Sequence, residues 1–169
     1  ADLYYKGGMR AQYKQIIDSV ASSKTLPPAY RFQLAQRYQQ GGLIPQMAGQ
    51  LDLCADKLPA DTPANIYLNI ARMYAAARQQ PKTMKALEKY VTLEPNDWKA
   101  RIDMAVMQLA GGDKAAATRS LTVALNKGGA EAQGIVNKDG RFNAIRKDIQ
   151  SRNQNALSIP GLMPQPPRR

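Results

Sequence analysis

Residues 34–42 read LAQRYQQGG, residues 70–78 read IARMYAAAR and residues 104–112 read MAVMQLAGG. Each stretch begins with a large aliphatic side chain followed by alanine, and Tyr38, Tyr74 and Gln108 stand four positions after the large residue. Paired glycine marks the same interval. Gly7-Gly8, Gly41-Gly42 and Gly111-Gly112 lie 34 and then 70 residues apart, and the unit between the last two carries Arg78-Gln79 where a pair is expected. Self-similarity at such a period is the mark of stacked helical units, each of which can bury its apolar side only against its neighbours.

The second half of each unit keeps the register, with Leu51, Cys54 and Pro59 in the first, Leu87, Tyr90 and Pro95 in the second, and Ala117, Leu121 and Ala124 in the third, which closes at Gly129. The first two units are 36 residues apart, which implies a two-residue insertion near Ala60-Asp61, and Thr83 stands where the second unit should have a small residue. Proline suits the start of a helix, where its missing N–H has no partner to lose, and Pro28, Pro45, Pro63 and Pro81 each stand at such a start. Asp61-Thr62, Asn96-Asp97 and Asp113 offer side-chain oxygens for capping. The spacing predicts helices over 9–22, 28–40, 44–57, 63–78, 81–92, 97–110, 113–127, 130–138 and 142–152, and no strand. Ala35, Ala71 and Ala105 would let paired helices approach closely, with Leu34, Ile70, Met104, Leu51, Leu87 and Leu121 filling the seam.

The pattern resembles the tetratricopeptide repeat, a helix-turn-helix unit of about 34 residues. The resemblance covers residues 4 to 129 and implies an all-α fold, a right-handed α-α superhelix of about three full repeats. A leading half-repeat would place Tyr4 and Gly8 on its first part and Ile17 and Val20 on its second helix, as though the chain were the C-terminal part of a longer array. After Gly129 a capping segment runs from Ala130 to Arg152, in which a turn at Lys138–Phe142 tucks Phe142 onto the last repeat. The expected domain is therefore 1–153. Residues 154–169, rich in proline and ending Pro-Pro-Arg-Arg, form an expected basic tail.

Composition narrows the function classes. With no histidine in 169 residues, the Ser-His-Asp triad, HExxH metal sites and histidine-bearing zinc fingers are absent, and one cysteine, Cys54, rules out an intrachain disulfide framework. There is no Gly-rich phosphate loop or nucleophile elbow, so the expectation is a protein without catalysis, cofactor or metal. Cys54 reads as a small buried hydrophobe. No stretch has the ~18 apolar residues of a membrane span. Twenty-four Lys and Arg against 13 Asp and Glu, a formal +11, bias a partner toward acidic polypeptide, nucleic acid or an anionic surface. The surplus is dispersed and no base-stacking motif accompanies it, which argues against nucleic acid. The compartment stays open between cytoplasm and periplasm, and the edge at Leu3–Tyr5 is an expected site for pairing with a second copy.

In proteins of the resembled family, the first helices of successive units line a groove for a peptide. Carried over by position, the groove residues are Phe32, Gln33, Gln36 and Gln40, then Asn65, Leu68, Asn69 and Arg72, then Lys99, Ile102, Asp103 and Val106. Asn69, Arg72 and Lys99 are the candidates for receiving a carboxylate. A known subgroup that grips chaperone C-termini needs Lys and Asn where this chain has Phe32 and Gln36, and Arg where it has Asp103, so that ligand is rejected. The expected function is a scaffold that binds a polypeptide segment in the groove. The alternative is an accessory C-terminal domain of a larger, membrane-embedded, glycosyltransferase-like enzyme.

Overall fold

A computed structural model of the chain describes residues 9–149. Its helices are α1 (Arg10–Ala21), α2 (Pro28–Gln40), α3 (Ile44–Cys54), α4 (Ala64–Ala76), α5 (Gln80–Leu93), α6 (Trp98–Ala110) and α7 (Lys114–Lys138), followed by a 3-10 helix, Gly140–Ile145. There is no strand among the described residues. The periodicity is visible in the helix starts. Helices α2, α4 and α6 are each 13 residues long and begin at 28, 64 and 98; α3, α5 and α7 begin at 44, 80 and 114 and show the same intervals of 36 and then 34 residues.

The turn inside each pair is also repeated. Gly42, Arg78 and Gly112 all have left-handed backbone, with φ of 71°, 57° and 86°. The next residue in each case, Leu43, Gln79 or Asp113, donates its backbone N–H to the carbonyl of Tyr38, Tyr74 or Gln108 at 2.8, 2.9 and 2.9 Å. This reversal satisfies carbonyls that the end of the helix leaves without an intrahelical partner. Arg78 thus keeps the conformation of the glycine it stands in for.

Two compact units divide the chain after Leu93. In the first, α2 lies along α3 and α4 along α5, while α1 packs on α2 and α3 on α4. Ala35 and Ala71 are fully buried, as are Tyr38, Met47, Leu51 and Ile70 on the same paired helices. Burying each such aliphatic side chain contributes about 1.5–3 kcal/mol, and alanine is what allows the backbones close enough for it. Thr83 is also buried, because its hydroxyl donates to the Gln79 carbonyl one turn back at 3.1 Å and so brings no unpaired donor into the core.

The second unit pairs α6 with α7. At Gly129 (φ 52°, ψ −133°) α7 is kinked, as the glycine pair predicts, and residues on both sides of the kink, Leu121 and Ala124 before it and Ala132 and Val136 after it, share one core with Phe142 and Ile145. Gly128 is needed for close approach, since a Cβ there would stand 2.6 Å from the Trp98 ring and from the Ala132 methyl. Asp139 accepts from the Arg141 backbone N–H at 3.0 Å and turns the chain so that Phe142 is fully buried, as expected. Arg146 donates to the carbonyls of Val136, Asn137 and Asp139 and so closes the end of α7.

Several expectations need correction. Asp97 and Asp113 do cap their helices, accepting from the N–H groups of Ala100 and Ala116 at 3.1 and 2.8 Å, but Asp61-Thr62 does not. Pro63 is itself the residue before α4, no side chain caps that helix, and the Thr62 hydroxyl turns back to the Pro59 carbonyl. Helix α3 stops at Cys54 rather than 57, and the segment at 142 begins as 3-10 rather than α-helix. Met104 is half-buried rather than a full seam residue, and of the two apolar positions expected on α1, Ile17 is buried and Val20 exposed. The Leu3–Tyr5 edge, Gly8 and the 154–169 tail lie outside the described residues.

Candidate functional site

The residues singled out from sequence fall on three helices. On α2, Phe32 is only 7% exposed and belongs to the core of the first unit, whereas Gln33 and Gln40 are exposed and Gln36 is half-buried. On α4, Asn65, Asn69 and Arg72 follow one another at helical spacing, with Arg72 and Asn65 exposed and Asn69 and Leu68 half-buried. The other side of that helix carries buried Ile70, Ala71 and Tyr74, so the amide and guanidinium groups form its polar face. In the second unit Ile102 is 6% exposed and packs with Ala105 and Leu121, which makes it a core residue rather than a surface contact. Asp103 is exposed and Val106 half-buried. Lys99 is exposed, lies 3.3 Å from Glu131 and sits 5.1 Å from the Trp98 ring centroid.

The structure brings together a second set of residues that the sequence reading passed over. A cleft of about 420 Å³ opens between α3 and α5 over the side of α4, inside the first unit. Its floor is Tyr67, Ile70, Tyr74, Ala55 and Ala86; one wall is Asp52 on α3 and Asp56 in the turn just after it, the other Lys82, Lys85 and Lys89 on α5. The helical spacing of 82, 85 and 89 puts the three ammonium groups on one face of α5. Lys82 donates to Asp52 at 2.6 Å and Lys85 to Asp56 at 2.8 Å, while Lys89 stands 4.0 Å from Asp56. Lys82 also lies 5.6 Å from the Tyr74 ring centroid and Lys89 5.2 Å from that of Tyr67, within cation–π range.

The electrostatics follow from these contacts. The hydrogen bond from Lys85 holds the Asp56 carboxyl below its ordinary range, with burial opposing it and the charges of Lys85 and Lys89 adding to it. Burial, and then the hydrogen bond to Asp52, pushes the Tyr74 hydroxyl well above the usual phenol value, so it remains a donor at all ordinary pH. Cys54 is fully buried, and burial raises its thiol to about 11, which leaves it protonated and unreactive. Among the described residues no group of histidine, cysteine and carboxylate side chains could hold a metal ion, and no helix is long and apolar enough to cross a membrane.

The signal for the cleft was present in the sequence as two helical patterns, acidic at 52 and 56 and basic at 82, 85 and 89. Nothing in either pattern says that the two helices flank a common floor. Compared with protein-family models and with curated proteins, the sequence gives no match.

Proposed function

We propose that this chain is a tetratricopeptide-type repeat module that binds a polypeptide segment and has no catalysis of its own. The observation that carries the reading is the triple recurrence of one unit: a 13-residue first helix, a left-handed turn residue and a second helix, at intervals of 36 and 34 residues. Units of this kind leave the outward side of each first helix for a partner while the inward side is used in packing. On α4 that outward side is polar, with amide and guanidinium donors of the type that grip carboxylates and peptide carbonyls. The surplus of positive charge would steer an acidic segment toward it.

The test is a peptide-display selection against the full chain and, in parallel, against a variant with Asn69→Ala and Arg72→Ala. Peptides enriched on the parent and lost on the variant support the groove. A parent that enriches no sequence from an unbiased library overturns the reading.

A further inference from the structure

We infer that the cleft between α3 and α5 is a binding site for an extended acidic peptide segment in which carboxylate side chains alternate with apolar ones. This rests on the reading of the chain as a polypeptide binder and moves the contact from the first helices to the seam between second helices.

Length and shape come first. A second cleft, also about 420 Å³, continues from the first and shares Tyr67, Lys85 and Lys89 with it, ending at Ala60, Thr92 and Leu93. The combined trough runs beside α5 from Lys82 to Leu93. At a rise of about 1.5 Å per residue that is roughly 16 Å, the length of about five residues of extended chain. The floor is aromatic and aliphatic, suited to alternate side chains of such a strand, which point to opposite sides.

Charge then sets the chemistry of the occupant. Three ammonium groups face two carboxylates in the upper cleft, and Glu88 enters only the lower one, so an incoming anion is placed between Lys82, Lys85 and Lys89. These cations are available. The side chains of the Lys82–Asp52 and Lys85–Asp56 pairs are 41–63% exposed, where solvent screening leaves an ion pair little net strength, and each ammonium has further donors. The seam one unit earlier differs. There Arg31, 36 positions before Tyr67, is buried, with its guanidinium donating to Gln50 at 3.0 Å and to the Ser23 carbonyl at 2.7 Å. That cation is already fully engaged within the fold, whereas the lysines of the second seam line open space.

The experiment is fluorescence anisotropy on the full chain with a labelled five-residue peptide of alternating glutamate and leucine, beside the same peptide with lysine for glutamate. The parent should bind the acidic probe saturably and not the basic one. The double variant Lys85→Gln/Lys89→Gln, at exposed positions and checked by thermal melting, should weaken binding at least about tenfold, while Lys24→Gln/Lys138→Gln, which removes the same charge from exposed positions outside the trough, should leave it unchanged. No saturable binding up to about 1 mM, or equal binding by Lys85→Gln/Lys89→Gln and the parent, overturns the site. Loss in Asn69→Ala/Arg72→Ala with retention in Lys85→Gln/Lys89→Gln overturns it too, but leaves the broader peptide-binding reading standing on the α4 face.

Discussion

The Tyr74 hydroxyl donates to Asp52 at 3.0 Å, from the first helix of one unit to the second helix of the unit before, and Tyr38 makes the same bond to Asp18 at 2.6 Å. The tyrosine that marks the repeat in the sequence is therefore a staple between units. Its ring is buried and its hydroxyl reaches a carboxylate at the margin. In the third unit Gln108 stands at that position and accepts from Ser120 of α7 at 2.8 Å.

Removing one staple should cost stability without changing the fold. A buried hydroxyl bonded to a charged acceptor is worth about 1.5–3 kcal/mol, so Tyr38→Phe and Tyr74→Phe should each lower the unfolding free energy, read from urea denaturation, by an amount in that range. A double-mutant cycle of Tyr38→Phe with Asp18→Asn should show coupling. Additive losses would mean that the bond contributes nothing in solution.

The left-handed turns make opposite predictions at equivalent positions. Non-glycine residues pay roughly 1–2 kcal/mol for that conformation, and Arg78 adopts it at φ 57°. Arg78→Gly should therefore stabilise by about 0.5–1 kcal/mol after the added freedom of the unfolded chain is offset. Gly42→Ala and Gly112→Ala should destabilise by about 1 kcal/mol or more, although no atom lies within 4 Å of the added methyl. Denaturant unfolding of the three variants checks the set.

Gly128→Ala tests close packing in the second unit. Alanine is better than glycine in a helix by about 1 kcal/mol, yet its Cβ would stand 2.6 Å from the Trp98 ring. Overpacking of this kind costs about 1–3 kcal/mol, and the ring cannot yield as the end of a flexible chain would. The net effect should be destabilising, with a shift in tryptophan fluorescence, since Trp98 is the only tryptophan.

Acid stability should depend on Asp18. Hydrogen bonds from Lys14 and then from Tyr38 hold its carboxyl below the ordinary 3.8, with burial opposing. A carboxyl lowered by folding stabilises above its unfolded pKa, and that contribution is lost as pH falls from about 4 through the lowered value. Asp18→Asn should thus flatten the fall in melting temperature below about pH 4 and be least favourable relative to the parent near neutrality. An unchanged acid profile would remove the assignment.

Cys54 should resist a soluble thiol reagent in the native protein at pH 8 and react fully in denaturant. Its side chain is completely buried and its thiol is raised to about 11. Rapid native labelling would show that α3 opens locally.

Much of the architecture was legible in the sequence because helix periodicity is a local property. Which side of each helix is buried, where proline starts it and where a left-handed turn ends it are all set within a few neighbouring residues, and the expected starts at 28, 44 and 97 agree with the observed ones to within one position. Register alone did not separate groove from core. Phe32 and Ile102 occupy groove positions by count, but their apolar side chains turn inward, since burial outweighs position for a large hydrophobe. The cleft depended on the tertiary structure altogether. Lys82 meets Asp52 across 30 residues and Lys85 meets Asp56 across 29, and both pairings arise from how far apart the floor of Tyr67 and Tyr74 holds α3 and α5. Spacing along a helix specifies a face; the distance between two faces is decided only when the side chains between them have packed.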